Sequence, residues 1–298
     1  MLTGGAANLE TWVIDRMTSV VEEEDVAAGK RLFAEGEPPE SIFFIREGRV
    51  RLERDGASPW LFEGRTVIGV FDALLDRAHA RTAVAETDLH LLKLRVDSWL
   101  ELLEDSFGLA RAAVRNAVST VAGLEARRWA AQDAPRGEVV VRVPPVLGPL
   151  AFVDRLAVLA DVQMLRGAGI QVLVELADMM EEVTFEPGEA IFGRGNPRGE
   201  ALLVLQGEAE GNRLDPGLRV VFGPGSVVGG VASLGEPILA WEARAITRVR
   251  AFSMRLEDWF DLMEEHFDLL RSALSGMALQ REAILDDLST GKGELRVG

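Results

Sequence analysis

One glycine-rich stretch of this chain, which occurs a second time further on, decides the fold. It reads Ala28-Gly29-Lys30-Arg31-Leu32-Phe33-Ala34-Glu35-Gly36-Glu37-Pro38. Its counterpart reads Pro187-Gly188-Glu189-Ala190-Ile191-Phe192-Gly193-Arg194-Gly195-Asn196-Pro197. Two glycines, a phenylalanine and a proline recur at matching positions, so the second copy lies 159 residues after the first. A repeat of that length predicts two copies of one structural unit.

The repeat continues well beyond these two stretches. At the offset of 159 residues, Gly48 matches Gly207. The offset then becomes 160 and holds through the pairs Gly69/Gly229, Ala85/Ala245, Thr87/Thr247, Arg95/Arg255, Trp99/Trp259, Leu102/Leu262, Glu104/Glu264, Phe107/Phe267 and Arg111/Arg271. The change of one residue between Gly48 and Gly69 predicts a hairpin loop that differs by one residue between the copies. We therefore interpret the chain as a duplication.

Each copy has the pattern of short strands between helices. Alternating segments bounded by turn residues predict strands, and apolar residues every three or four positions predict helices. The predicted strands of copy one are 31–33, 41–45, 49–53 and a stretch over 83–94, which has its counterpart at 243–254. The predicted helices are 9–21, a region 150–180 broken at Gly167-Ala168-Gly169, segments starting at Val96 and Leu256, 107–131, and 269–288 before a ragged tail. The domains are then 1–131 and 150–298, joined by a linker over 132–149 whose valine run packs on a neighbour.

Composition limits the class of function. The chain has 298 residues, 32 Lys and Arg against 48 Asp and Glu, and no cysteine. A net charge of −16 works against nucleic-acid binding, which depends on cationic side chains. Without cysteine there is no disulfide and no thiolate metal site. Because no apolar run suits a membrane span and the start lacks a secretory signal, we expect a cytoplasmic protein with neither nucleic-acid nor membrane partners.

The repeated residues resemble the cyclic-nucleotide-binding domain family, which includes the sensor half of the catabolite activator protein and the regulatory subunit of cyclic-AMP-dependent protein kinase. Beyond the opening stretches, the resemblance rests on Ser41-Ile42-Phe43-Phe44-Ile45, Ala85-Glu86-Thr87-Asp88 and Leu202-Leu203-Val204-Leu205-Gln206-Gly207. It implies an α+β, mainly β fold with two tandem jelly-roll-like β-rolls, each flanked by helices. A fold alone does not specify a ligand, so the pockets have to be read separately.

The resemblance also implies where a ligand would bind in copy one. In the family, a glutamate shortly after a glycine accepts the ribose hydroxyl, and an arginine further on pairs with the cyclic phosphate. Here Gly69 is followed by Val70 at the glutamate position, and His79 stands at the arginine position. Asp72 and Arg81 are nearby substitutes for the two missing groups. The degenerate candidate site of copy one is therefore Gly69, Val70, Asp72, His79, Arg81 and Thr82.

The pocket of copy two departs further from the family pattern. The glutamate position falls at Gly230 and the arginine position at Leu239 or Ala240, while a carboxylate at Glu242 would repel a phosphate. The candidate residues of copy two are Gly229, Gly230, Trp241 and Glu242. Because hydrogen bonds to charged groups are worth roughly 1.5–3 kcal/mol each, losing both partners weakens binding by about 10²- to 10⁴-fold. We therefore predict that the protein has no cofactor. The alternative is that it binds a cyclic nucleotide.

Motifs of catalysis and metal binding are missing from the sequence. The three histidines, His79, His90 and His266, stand at no metal-ligand spacing from one another. Neither a phosphate loop nor a nucleophile elbow occurs, and no His-Glu-x-x-His helix is present. The sequence therefore predicts a protein that is not an enzyme and has no metal site.

Three functions remain open from the sequence. The favoured one is a non-catalytic regulatory or scaffold protein that binds protein partners, including a second copy of itself. The apolar stripes on 107–124 and 269–288, after each β-roll, would supply that surface. The second function is a sensor of a cyclic mono- or dinucleotide or another small ligand, in which Arg81 and His79 replace the usual arginine. The third is a regulatory subunit of a separately encoded enzyme.

Overall fold

The computed structural model describes residues 19–130, 136–137, 148–162, 165–192, 199–213, 218–229, 241–290 and 294–297. The chain falls into two compact units. The first comprises 1–110 together with 278–298, and the second comprises 111–277. The domains predicted from the sequence differ from these units, because residues 278–298 belong with the first β-roll and residues 111–131 belong with the second. Among the described helices, none is long and apolar enough to span a membrane.

The first unit is a β-roll with short helices. Its strands are β1 (Val21–Val26), β2 (Arg31–Phe33), β3 (Ser41–Glu47), β4 (Arg49–Glu53), β5 (Trp60–Glu63), β6 (Thr66–Ile68), β7 (Thr82–Ala85), β8 (Leu89–Arg95) and, from the far end of the chain, β18 (Leu295–Val297). Its helices are α1 (Val70–Leu74) and α2 (Val96–Asp105), followed by α3 (Phe107–Ala130), which continues into the second unit.

The second unit repeats this plan. Its strands are β9 (Arg136–Gly137), β10 (Glu181–Phe185), β11 (Ala190–Phe192), β12 (Glu200–Gln206), β13 (Ala209–Arg213), β14 (Leu218–Phe222), β15 (Val227–Val228), β16 (Trp241–Ala245) and β17 (Val249–Arg255). Its helices are α4 (Phe152–Asp161), α5 (Ile170–Met179), α6 (Leu256–Glu265) and the first part of α7 (Phe267–Ser289). The predicted fold, an α+β and mainly β chain with two tandem β-rolls flanked by helices, is confirmed.

Each β-roll consists of two sheets with the same strand order. In the first unit the orders are β1-β8-β3-β6 and β18-β5-β4-β7-β2, and in the second they are β10-β17-β12-β15 and β11-β16-β13-β14-β9. The pairings are antiparallel except for two short strands at sheet edges, β18 on β5 and β9 on β14. Alternate side chains of the strands point inward, and their burial forms the two cores. Fully buried members of these cores include Ile42, Phe62 and Leu91 in the first roll and Ile191, Leu205 and Phe252 in the second.

The strand register confirms the duplication and locates its one irregularity. In the pairings of β4 with β7 and of β13 with β16, Glu53 corresponds to Asn212, an offset of 159 residues. In the pairings of β4 with β5 and of β13 with β14, Phe62 corresponds to Phe222, an offset of 160. The extra residue therefore lies in the hairpin between the fourth and fifth strands of the roll, as the change of offset predicted.

Glycine is required at two repeated positions by close backbone approach. Gly48 and Gly207 have φ angles of 99° and 83°, and a Cβ at either site would collide with the carbonyl oxygen of Asp88 or Arg248. A side chain in that conformation is strained even without a collision. The repeated glycines predicted from the sequence thus have a structural explanation that needs no ligand.

Most helices match the prediction. Helices α4 and α5 occupy the region 150–180 and are separated at Gly169, which precedes the first turn of α5. The predicted helix 9–21 lies almost wholly outside the described residues, and Val21 belongs to strand β1. The valine run 138–143 of the linker also lies outside them, whereas Arg136 and Gly137 pair with β14.

The apolar stripe on α3 is buried within the chain, with Val114, Val121 and Leu124 at most 4% exposed. Its use as a partner surface stays a prediction.

The expectation about the tail was wrong. The tail is not ragged throughout, because Leu295–Val297 forms strand β18 on β5. A short segment without internal periodicity gives no local signal for such a pairing, since its stability comes from the strand that receives it.

Candidate ligand site of the first roll

The segment 69–82 lies between strands β6 and β7 and contains the candidate residues of copy one. Gly69 adopts a φ angle of 83°, and a Cβ there would lie 2.8 Å from the carbonyl oxygen of Ser41. The chain therefore turns sharply at Gly69 into the short helix α1, whose first residue is the half-buried Val70. Thr82 begins strand β7, where its hydroxyl accepts a hydrogen bond from the backbone N–H of Glu35 at 3.0 Å. Val70 and Thr82 thus shape the segment without presenting a charge.

Asp72 holds the segment together by two side-chain contacts. Nε of Arg77 donates to its carboxylate at 2.9 Å, and Nδ1 of His79 lies 3.2 Å from its other oxygen. Burial by itself raises the pKa of Asp72, but the hydrogen bonds from His79 and Arg77 outweigh burial and leave the pKa below its usual range. An ionised carboxylate only accepts hydrogen bonds, so Nδ1 of His79 carries the hydrogen.

His79 stands at the arginine position of the family pattern, but it is a packed side chain. It is 3% exposed and stacks on Phe33 with ring centroids 3.7 Å apart. Its backbone exchanges hydrogen bonds with Gly36 and Glu37, each at 2.9 Å. His79 is therefore fixed at two points: its backbone is held by the turn at Gly36 and Glu37, and its Nδ1 is held by Asp72.

Arg81 is a buried cation whose partners lie in this unit. It is 3% exposed, its guanidinium carbon lies 3.6 Å from the ring centroid of Trp60, and it donates to the carbonyl oxygen of Ser58 at 3.1 Å. Its remaining terminal nitrogen donates to Asp286 at 2.8 Å. Burial lowers the pKa of Arg81, and the hydrogen bond that Arg81 donates to Asp286 offsets only part of that effect. The structure therefore brings together Asp72 and His79 in one contact, and Arg81 in another.

Sequence reasoning missed the residues that complete the site. Arg77 donates two hydrogen bonds from one nitrogen to both carboxylate oxygens of Glu282, each at 2.8 Å. The guanidinium of Arg281 lies over Phe71 at 4.2 Å and over Phe62 at 5.5 Å. These partners come from the last helix, 205 residues away along the chain from Arg77, so no local pattern pointed to them.

The pocket segment of the second roll keeps the backbone turn of the first. Gly229 has a φ angle of 90°, and a Cβ there would lie 3.0 Å from the carbonyl oxygen of Glu200. Trp241 and Glu242 belong to β16, opposite Arg213 and Asn212 of β13. Gly230 and the positions 239–240 lie outside the described residues.

A separate acidic cluster, also missed from the sequence, lies in the second unit. A surface cavity of about 250 Å³ is bordered by the carboxylates of Glu175, Asp178, Asp258, Asp261 and Glu265. At its edge, Nε2 of His266 is 2.9 Å from Glu175, and the ligand atoms of Glu175, Glu265 and His266 all lie within 4.8 Å of one another. The hydrogen bond from His266 lowers the pKa of Glu175. Glu175 and His266 thus form a hydrogen-bonded contact between α5 and the junction of α6 with α7.

Comparison with known proteins identifies the class to which this fold and site belong. The family model for the cyclic nucleotide-binding domain matches residues 23–106 and 182–266, which together are more than half of the chain. The chain therefore belongs to the cyclic nucleotide-binding domain family and contains two such domains in tandem. No curated protein matches the chain.

Several solved structures are similar to the chain. One is a cAMP-bound mutant of the regulatory subunit of a cAMP-independent protein kinase A from Trypanosoma brucei, with 18% identity, 86% of each chain covered and a TM-score of 0.36. Another is the corresponding subunit from Trypanosoma cruzi bound to guanosine, with 15% identity, 88% of this chain and 87% of that chain covered, and a TM-score of 0.34. A third is the regulatory domain of Toxoplasma gondii PKA with cAMP, with 14% identity, coverage of 88% and 94%, and a TM-score of 0.31.

Proposed function

We propose that this chain is a non-catalytic regulatory protein of the cytoplasm that acts by binding other proteins and binds little or no cyclic nucleotide. Its membership of a regulatory domain family supports the regulatory role. Its charge of −16 supports a protein partner over a nucleic acid.

The observation that carries this proposal is the pairing of the cations around the first pocket segment. Arg77 is hydrogen-bonded to Asp72 and Glu282, and Arg81 to Asp286 and a backbone carbonyl. A phosphate would have to displace these carboxylates before it could bind either arginine. The exchange of one anionic partner for another gives little net free energy, because both partners make hydrogen bonds of the same kind.

The second roll supports the proposal through its sequence. Glu242 lies near the position where the family pairs an arginine with the phosphate, and Gly230 occupies the position of the family's glutamate. A carboxylate beside a phosphate is repulsive, so this pocket favours no anionic ligand.

Calorimetric titration with cyclic AMP and cyclic GMP tests the absence of nucleotide binding. We expect no saturable heat at millimolar ligand, together with an unchanged melting temperature, since a ligand that binds only the folded state must raise its stability. A stoichiometric nucleotide bound with a micromolar dissociation constant contradicts the proposal. Affinity purification of the tagged chain from its own cell tests the partner, and we expect a protein to co-purify at fixed stoichiometry.

A second candidate, a sensor with a non-standard pocket, is favoured by one observation: Arg81 is a buried cation in the pocket segment. If this candidate is correct, a cyclic mono- or dinucleotide raises the melting temperature, and Arg81→Ala removes that increase. The matched control is Arg244→Ala in the second roll, which removes an arginine that donates to the carbonyl oxygen of Gly188 from an exposed position. A flat screen against these nucleotides eliminates the sensor.

A further inference from the structure

The last part of α7 presents two carboxylates, one helical turn apart, to the first pocket segment. Glu282 and Asp286 are four positions apart and so lie on one face of the helix. Glu282 accepts from Arg77 and Asp286 accepts from Arg81, each at 2.8 Å. Arg54 adds a weaker contact to Asp286 at 3.8 Å. The spacing of the acids on the helix thus matches the spacing of the two arginines on the roll.

Apolar burial on the helix and a strand pairing with β5 extend this attachment. Ile284, Leu285 and Leu288 of the helix are buried. Beyond the helix, β18 adds to the sheet, with Leu295 opposite Trp60 and Val297 opposite Phe62. The same two aromatic residues lie beneath Arg81 and Arg281, respectively. Residues 278–290 and 294–297, which we call the C-terminal segment, therefore contact both the pocket segment and strand β5.

One residue of the C-terminal segment opposes this attachment. Arg281 is inserted between Phe62 and Phe71, and none of the described residues makes a hydrogen bond with its buried Nε. Burial lowers the pKa of Arg281 to about 10. A desolvated cation without a carboxylate costs free energy that contacts with aromatic rings offset only in part. The segment is thus held by matched charges and apolar burial, and it also carries one cation that these contacts do not neutralise.

We propose that the first β-roll is a receptor for an acidic amphipathic helix, and that the C-terminal segment is the occupant that closes it. The recognised chemistry is a pair of carboxylates four positions apart beside an apolar stripe. This inference rests on the proposed function, because it names the surface on which a protein partner competes. A partner helix of the same chemistry binds to the roll only by displacing the C-terminal segment. The displaced segment then exposes its own apolar stripe.

Tethering explains why the closed form prevails. A segment linked to its receptor competes at an effective concentration in the millimolar range, so a weak contact is sufficient to keep it bound. A partner helix in trans displaces the segment only if its concentration, divided by its own dissociation constant, exceeds the same ratio for the tethered segment. A partner can also bind once the contacts of the segment have been weakened. Removal of the two carboxylates weakens the segment without altering the receptor.

Hydrogen–deuterium exchange on the full-length chain tests the closure. In Glu282→Gln/Asp286→Asn we expect residues 278–297 and strand β5 to exchange at least about tenfold faster, because two hydrogen bonds to charged groups are weakened in partly exposed positions. Glu104→Gln/Asp105→Asn is the matched control, since it also removes two carboxylate charges, from exposed positions at the end of α2 in the same unit. Exchange at β17 must stay unchanged, which shows that the variant is folded. Unchanged exchange in the C-terminal segment, or an equal increase in Glu104→Gln/Asp105→Asn, overturns the proposal.

A labelled peptide of residues 278–297 tests the receptor in trans. We expect Glu282→Gln/Asp286→Asn to bind this peptide at least about tenfold more tightly than the wild-type chain and the Glu104→Gln/Asp105→Asn control, since its own segment competes less. Equal affinity for all three proteins, or no binding to any of them, overturns the proposal. Either failure leaves the regulatory function standing, because nucleotide titration tests that function separately. Nucleotide binding by the wild-type chain would in turn overturn the function without changing the exchange result.

Discussion

The two β-rolls share one backbone and differ in the chemistry placed on it. The turn into the pocket segment is the same, with a glycine at a φ angle of 83° in the first roll and 90° in the second. At the position of the buried Arg81, the second roll has Trp241, and at the position of Thr82 it has Glu242. Strand register depends on backbone hydrogen bonds, which every residue except proline can both donate and accept. Ligand recognition depends instead on a few charged side chains. Duplication therefore preserved the frame while the sites diverged.

The ion pairs between β1 and β8 and between β10 and β17 also differ between the two rolls. In the first roll, His90 lies 2.8 Å from Glu23 and 2.9 Å from Asp25. In the second roll, the equivalent contact joins Arg250 and Glu182. A histidine contact depends on pH near neutrality and an arginine contact does not. The same strand pair is thus pH-sensitive in one copy and permanently charged in the other.

The largest expected effect tests the shared frame. Gly48→Ala and Gly207→Ala should each destabilise the protein by about 2–4 kcal/mol, since both place a Cβ against a carbonyl oxygen at positive φ. Gly29→Ala and Gly188→Ala are the controls, because they have positive φ with open space around the Cβ, and they should cost about 1 kcal/mol. Urea unfolding measures the differences. A tolerant Gly207 beside an intolerant Gly48 would break the comparison.

The next effect concerns Arg81, the buried cation of the first roll, whose position is taken by Trp241 in the second roll. Arg81→Ala should cost about 1–3 kcal/mol, because it removes packing on Trp60 and leaves the carbonyl oxygen of Ser58 without this donor. Arg244→Ala, from the exposed surface of the second roll, should change stability by less than about 0.5 kcal/mol. The two variants are compared by thermal unfolding at one pH, and equal losses would contradict the distinct role of Arg81.

A third expected effect is the pH dependence of the stabilisation that Asp72 provides. The native pKa of Asp72 lies below its ordinary value of 3.8, so the ionised form stabilises the folded state above that pH, and the contribution is lost as the pH falls through the native pKa. Asp72→Asn should therefore cost about 1–2 kcal/mol at pH 7. The difference from the wild-type chain should disappear below the native pKa. Denaturant titrations across this range measure it, and a loss that does not depend on pH would assign Asp72 a purely steric role.

The smallest effect sharpens the contrast between the histidine and arginine contacts. The hydrogen bond to Asp25, with the charge of Glu23, raises the pKa of His90 above its ordinary value of 6.5. The sign follows directly: the stabilisation is fully present below pH 6.5 and is lost as the pH rises through the native pKa. NMR titration of the ring should show the raised pKa, and Asp25→Asn should lower it toward 6.5. An unaltered titration in that variant would remove Asp25 as the cause.

Many residues of the candidate site could be predicted from the sequence, but the contacts that they make could not. Val70 and His79 align with the glutamate and arginine of the family pattern, and the sequence is sufficient for that alignment. The stacking of His79 on Phe33 and the pairing of Arg77 with Glu282 could not be predicted. Such contacts depend on how distant segments meet, and neither periodicity nor spacing along the chain encodes a meeting point.

The sequence by itself determined the duplication and the glycine turns, and it predicted the departure from the family's ligand-binding pattern at Val70 and His79. These features are local or repeated, so residue spacing specifies them. Only the tertiary structure decided that residues 278–298 join the first unit, that β18 extends its sheet, and that Glu282 and Asp286 neutralise its arginines. The physical reason is that an acidic amphipathic helix has the same sequence pattern wherever it docks. Its position is selected by complementary charges and apolar surface elsewhere in the folded chain.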